Sequence, residues 1–284
     1  MNEIQTFVLE DSGIRGALVR LEETWQRVAA AHEYPPELRA LLGDGVVSTL
    51  LLASGLKTTP SVSLQLQAEG PLKLLLVQCT DGQRVRAMAS FKPYATGTPL
   101  LGEGRLVVNL DTGKPNGFFQ GIVPLTSSKL EECLESYFAK SEQLDTRLVL
   151  RSDERRVAGL LLQVLPEHGE SRAVEAFETA AACAATVSVD ELTNAAAEEL
   201  LPKLFAGQTI RLFSARPVAH DCRCTPERLA GVVRMLGAEE VKSLLAEQGH
   251  VELKCEFCNR AFRYDERDVA RMMQGAEAES RSLH

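Results

Sequence analysis

The sequence predicts an α+β protein: a hairpin-rich, mostly antiparallel β core domain with helices, a helical linker, and a small zinc-binding C-terminal domain. Three observations lead there. Turn signals such as Asp81-Gly82 join short strand-like runs in the first half, alanine crowds the stretch after Glu167, and two tight cysteine pairs stand near the end. Hairpins favour antiparallel pairing, alanine favours helix, and paired cysteines in a small segment favour a metal. The boundaries fall at 1–166, 167–208 and 209–284.

Within the core, Ile4 to Leu9 and Ile14 to Leu21 read as strands, followed by helices over Glu22 to His32 and Pro36 to about Gly55. Ser61 to Gln67 alternates, with Val62, Leu64 and Leu66 on one face. Leu72 to Cys79 and Val85 to Ala89 flank Asp81-Gly82, a hairpin turn pair. Arg105 to Leu110 and Phe118 to Leu125 are joined by a second turn-rich connection. Ser128 with Glu131 predicts a capping box for a helix whose stripe of Leu130, Cys133, Leu134, Tyr137 and Phe138 reads as core. Thr146 to Arg151 and Arg156 to Leu165 are the last core strands, ending at Pro166.

The linker holds eleven alanines between Ala173 and Ala206 and few large apolar residues. Two helices are expected, the second opened by the capping box Ser188/Glu191. Small faces bury little area, at about 25 cal/mol per Å², so weak docking is expected. Beyond it, Thr225-Pro226 opens a helix directly after Cys224, a second helix covers about Ala238 to Glu247, and Gly249 ends it. Val251 to Lys254 and Ala261 to Tyr264 make a hairpin around Cys255 and Cys258, and Asp265 caps a final helix reaching about Gln274. A frayed tail from Gly275 is expected.

Composition narrows the function. The chain has 284 residues and a formal net charge of −8, with no basic tract. From His220 to His284 ten Lys or Arg face twelve Asp or Glu, a formal −2. Neither nucleic acid nor an anionic membrane is an expected partner. Met1-Asn2-Glu3 lacks the positive start of a secretory signal, and no apolar run approaches the ~20 residues that span a bilayer. A cytoplasmic protein is expected, and in a reducing compartment paired cysteines are more often metal ligands or redox sites than structural disulfides.

Cys222-x-Cys224 and Cys255-x-x-Cys258 are therefore the candidate zinc ligands. Four thiolates satisfy a tetrahedral Zn²⁺, and in an extended segment Cys222 and Cys224 share a face. A disulfide between those two would close a very small ring that is easy to reduce. A structural zinc and a redox sensor remain alternatives on spacing alone. Arg223, Arg228 and Lys254 add positive charge that would favour thiolates. His220 is close in sequence but reads as a bystander, and Cys79, Cys133 and Cys183 as packing residues. Gly102-x-Gly104, Gly43-x-Gly45 and Gly113-Lys114 lack the remaining residues of nucleotide-binding loops, and no catalytic constellation is present, so no enzyme is expected.

Several stretches together resemble the redox-regulated heat-shock holdase family, the thirty-three-kilodalton chaperonins. They are Gly13-Ile14-Arg15-Gly16 with Val19-Arg20-Leu21, Phe119-Gln120-Gly121-Ile122-Val123, and Tyr137-Phe138 with Ser141-Glu142-Gln143-Leu144 and Thr146. Cys222-Arg223-Cys224-Thr225 with Glu227-Arg228, and Cys255-Glu256-Phe257-Cys258, complete them. The resemblance implies an ATP-independent chaperone that is inactive when reduced, with one zinc per chain on Cys222, Cys224, Cys255 and Cys258. It further implies that oxidation pairs Cys222 with Cys224 and Cys255 with Cys258, expels the zinc, unfolds the small domain and the linker, and favours a homodimer that holds unfolding client proteins. Two other classes compete: a thiol-disulfide oxidoreductase using Cys255-x-x-Cys258, and a constitutive zinc-containing adaptor.

Overall fold

The structure, a computed structural model, describes residues 1–56, 61–165 and 171–272. The chain divides into two compact units, Met1–Asp221 and Cys222–His284. The expected end of the core at Pro166, the first linker residues, the end of the final helix near Gln274 and the tail from Gly275 lie outside the described residues.

The first unit begins with β1 (Asn2–Leu9) and β2 (Ile14–Leu21), then α1 (Glu23–Ala29) and α2 (Pro36–Ser54). β3 (Ser61–Ala68), β4 (Leu72–Thr80), β5 (Arg84–Phe91), β6 (Gly104–Asp111) and β7 (Phe118–Pro124) follow. Then come α3 (Leu130–Tyr137), which runs into a π-helical turn at Phe138–Glu142, β8 (Thr146–Ser152) and β9 (Val157–Val164). The linker helices are α4 (Ser171–Ala185), α5 (Val189–Asn194) and α6 (Ala197–Leu204). Three short strands, β10 (Ile210–Leu212), β11 (Arg216–Pro217) and β12 (Ala219–His220), close the unit.

Among the described residues these strands form two six-stranded sheets. One has the order β10-β1-β2-β9-β8, with β11 also on β1; the other runs β12-β5-β4-β3-β6-β7. Every pairing between them is antiparallel except that of β12 with β5. The Asp81-Gly82 turn between β4 and β5 has positive φ at both residues, 54° and 67°, the left-handed geometry that matches hairpin twist.

Helix α2 is apolar on nearly all sides because it lies between the sheets, its core residues continuous with β2, β4 and β9. The glycines that look like a broken phosphate loop are packing residues. A Cβ at Gly43 would stand 2.7 Å from Val157 Cγ1, and one at Gly45 3.0 Å from Leu75 Cδ2. The expected capping box at Ser128/Glu131 does not form. Lys129 occupies the N-cap without a side-chain bond, and Ser127 Oγ instead accepts from the Lys129 N–H and donates to Glu132.

The linker departs most from expectation. It has three helices rather than two, and it is firmly docked, not thinly buried. Phe177, Ala184, Val187, Leu192, Leu200, Leu201 and Phe205 bury against Phe7, Leu9, Leu18, Leu160 and Leu162 on the outer face of the first sheet. The large apolar residues are few, but apart from the exposed Val174 and Val189 they turn towards the sheet, so most of their area is used. Two arginines fasten the backbone. Arg151 donates to the carbonyls of Val187 (3.2 Å) and Ala185 (3.3 Å) at the end of α4, and buried Arg20 to the carbonyl of Ala195. The Ser188/Glu191 capping box forms as expected. Residues 209–221, expected with the zinc domain, instead supply β10, β11 and β12 to the core sheets, so the structural division falls after Asp221.

The second unit contains α7 (Pro226–Leu236), α8 (Ala238–Gln248), and the hairpin of β13 (Val251–Lys254) with β14 (Ala261–Tyr264). A last helix, α9, spans residues 266–272, and Asp265 Oδ1 accepts from the Asp268 N–H in its first turn. Its buried core is small: Val233, Val241, Val251, Cys255, Phe262, Tyr264 and Val269.

Candidate metal centre

Two local motifs bring the cysteines together. Thr225 caps α7, its hydroxyl accepting from the Arg228 N–H at 3.3 Å, with Pro226 at the first helical position. Cys222 and Cys224 thus arrive on the extended segment just ahead of a rigid helix start. The second pair sits on the tight turn between β13 and β14. Cys255 N–H donates to Arg260 O (3.0 Å), Asn259 N–H to Cys255 O (2.8 Å), and Asn259 adopts φ 56°, a left-handed conformation that asparagine tolerates.

The four Sγ atoms lie within 4.8 Å of one another. The shortest contacts cross between the motifs, Cys222 to Cys255 at 3.6 Å and Cys224 to Cys258 at 3.4 Å. Thiolates on a tetrahedral zinc with 2.3 Å bonds stand about 3.8 Å apart, so the donor set fits such an ion in number, chemistry and spacing. Among the described residues these four cysteines are the one group of this kind. His220 is not among them; it pairs with Val85 through β12 in the first unit.

The sulfurs are not equivalent. Burial pushes the Cys222 thiol well above its ordinary range, against the opposing N–H of Cys224, and burial followed by the Cys258 thiol pushes Cys224 up to about 11. Cys255 is also penalised by burial, yet the backbone N–H groups of Cys258 and Phe257 directed at it bring it below the usual thiol value. The expected influence of Arg223, Arg228 and Lys254 is not what sets these values. Arg228 is turned onto the Arg223 carbonyl (3.1 Å) and Lys254 lies beside Glu252 (3.9 Å). Inward-pointing backbone N–H groups, invisible in a residue pattern, supply the stabilisation of negative sulfur.

Cys79 and Cys133 are buried in the main core, as expected for packing residues, and Cys183 is half-buried on α4. The Cys255-x-x-Cys258 pair stands on the turn that joins the two strands of an antiparallel hairpin. A thioredoxin-like motif would instead accompany a βαβ unit.

An α+β core joined to a small unit carrying a four-thiol centre is the class of protein that fold and site define. The family model described as Hsp33 protein matches residues 2–265. The chain is 38% identical over 281 residues to the 33 kDa chaperonin of Shewanella woodyi, covering 98% of this chain and 97% of that one. To the 33 kDa chaperonin of Chromobacterium violaceum it is 39% identical over 274 residues, covering 94% and 92%. The crystal structure of the 33 kDa chaperonin, a heat shock protein 33 homologue, from Thermotoga maritima superposes with a TM-score of 0.83 at 20% identity, over 98% of this chain and all of that one, a likeness of fold. The chain belongs to the Hsp33 family of chaperones.

Proposed function

We propose that the protein is an ATP-independent holdase held inactive by its four-cysteine zinc centre and switched on by oxidation of those cysteines. The observation that carries this reading is the convergence of four thiols, with no other ligand type among the described residues, on one site in a unit with a small core. A zinc held by Cys222, Cys224, Cys255 and Cys258, one per chain, supplies on the order of 10 kcal/mol of folding free energy to that unit. This is comparable to the whole stability of a domain.

Peroxide consumes the same sulfur lone pairs that ligate. Two thiols surrender two electrons and two protons, an S–S bond forms, the O–O bond breaks, and two waters leave. Cys222 with Cys224 and Cys255 with Cys258 are the proposed pairs, following the family resemblance. Without its four donors the small core is left to hold the second unit alone, and it unfolds.

The docking of α4–α6 refines the second step. Their buried contacts and the Arg20 and Arg151 bonds mean that the linker does not fall away for lack of adhesion, so undocking requires heat as well as oxidation. Once undocked, it uncovers Phe7, Leu9, Leu18, Leu160 and Leu162, a contiguous apolar sheet face suited to unfolding client chains. Dimerisation of the oxidised form and residence in the cytoplasm complete the proposal, with no catalytic turnover.

The test is to treat the reduced protein with peroxide at ambient and elevated temperature. Metal release is followed with a chromogenic chelator, and protection of a thermally unfolding client by light scattering. Metal release with no gain in protection at either temperature rejects the switch. Catalytic turnover of a small disulfide substrate favours the oxidoreductase, and protection unaffected by peroxide the constitutive adaptor.

A further inference from the structure

Two stretches that carry the family resemblance, neither of them a cysteine motif, converge on one cavity of the first unit. It measures about 200 Å³, and its lining includes Arg15 from β2, Tyr137 and Phe138 from the end of α3, Glu142 and Leu144. Its remaining walls are largely apolar, among them Leu51, Leu52, Val108, Leu110 and Leu161.

Arg15 is the unusual element. Its guanidinium is largely desolvated, yet arginine stays protonated at any ordinary pH. Nε (2.9 Å) and Nη2 both donate to Gln163 Oε1, a neutral amide oxygen. That amide is itself fixed: Gln163 Nε2 donates to Thr146 Oγ1 (2.7 Å), and Thr146 Oγ1 to Leu144 O (3.1 Å). The segment from Ser141 to Thr146, opened by Gln143 in the left-handed region at φ 54°, thereby orients the guanidinium. Gly55, just past the end of α2, gives it room, since a Cβ there would overlap Nη1 and Nη2. The helix C-terminus offsets part of the charge.

No carboxylate among the described residues lies within ion-pairing distance of Arg15, and its Nη1 has no acceptor among them. Glu142, which lines the same cavity, is engaged by the Tyr137 hydroxyl at 3.1 Å instead. A half-buried, largely desolvated cation held in place by neutral groups, with a donor unspent beside apolar walls, gains where an anion completes it. The cavity is below the roughly 300–1,000 Å³ of drug-sized sites, so its occupant is small.

We propose that this cavity binds a small carboxylate with an apolar body, the carboxylate on Arg15 and the body against Leu51, Val108, Leu110 and Leu161. The proposal is independent of the cysteine switch and is tested on the full-length, reduced, zinc-loaded protein. Hexanoate and N-acetyl-leucine are titrated against hexan-1-ol while the amide signals of Arg15 and Gly55 are followed by NMR. Hexanoate stands for a free short-chain acid and N-acetyl-leucine for the C-terminus of a polypeptide, and the tighter binder identifies the source. Saturable binding of at least one carboxylate is expected, with the alcohol at least about tenfold weaker, as loss of a charge-assisted bond requires. Arg15→Gln should erase that preference. Should that variant not fold, Leu110→Trp, which fills the cavity from a half-buried wall, should weaken carboxylate binding at least about tenfold with Arg15 intact. Equal binding of acid and alcohol, no saturable shift at Arg15 and Gly55, or affinity indifferent to a filled cavity overturns the proposal.

Discussion

The Tyr264 hydroxyl donates to the Pro226 carbonyl at 2.9 Å, tying the last residue of β14 to the first residue of α7. Each element carries one cysteine motif at its edge, so this bond couples the two halves of the candidate metal centre through the scaffold. Tyr264→Phe removes it while keeping the ring in the small core. A loss of about 1 kcal/mol is expected. It should appear as a several-fold weaker zinc affinity in chelator competition, with the stability of the first unit unchanged.

Cys222→Ser replaces a soft donor by a hydroxyl that binds zinc poorly. Metal affinity should fall by orders of magnitude, and the second unit should lose its dispersed amide spectrum while the first retains its own. Constitutive but partial holdase activity is the expected functional result. Unchanged zinc stoichiometry and affinity would remove Cys222 from the site.

Arg151 bonds the carbonyl of Ala185, the last residue of α4, and that of Val187 just beyond it, where a cation is favoured by the helix dipole. Arg151→Met preserves much of the apolar stem and deletes these bonds. The linker should be loosened by about 1–3 kcal/mol, enough to lower the temperature at which the oxidised protein binds an apolar dye and protects a client. Phe205→Ala, which removes a ring 5.9 Å from that of Phe7, should act in the same direction at about 3–5 kcal/mol.

Asp44 on α2 has its carboxyl raised to about 7, first by burial and then by Glu131 of like charge, with Arg151 opposing. The sign follows from linkage. Because the folded value lies above the ordinary 3.8, ionising Asp44 penalises the native state above pH 7, and the penalty fades as the pH falls from 7 towards 4. Its side chain keeps some contact with solvent, which lessens the cost. Asp44→Asn should therefore stabilise the first unit by on the order of 2 kcal/mol at pH 8 and by little at pH 4, measured by urea unfolding at the two values.

Much of this was legible in the chain because it is local. The positive-φ demand of Asp81-Gly82, the Ser188/Glu191 box and the Thr225-Pro226 start are set by residues within a few positions of one another, and each formed. The clustering of the cysteine pairs was legible for the same reason: each pair is held by its own short motif, and only one closure was left to the fold. The box at Ser128/Glu131 failed because Ser127, one residue earlier, took the competing bonds.

Residue order alone thus determined the antiparallel hairpins, most of the helix caps and which four cysteines come together, since their geometry is fixed by near neighbours and intrinsic backbone preferences. Tertiary structure alone decided that the alanine-rich linker is firmly seated and that residues 209–221 complete the core sheets. It also decided that Arg15 and Gln163 meet over an apolar cavity. How much area a helix buries, or whether a three-residue strand forms, depends on the surface it meets, and that surface is built by residues far away in sequence.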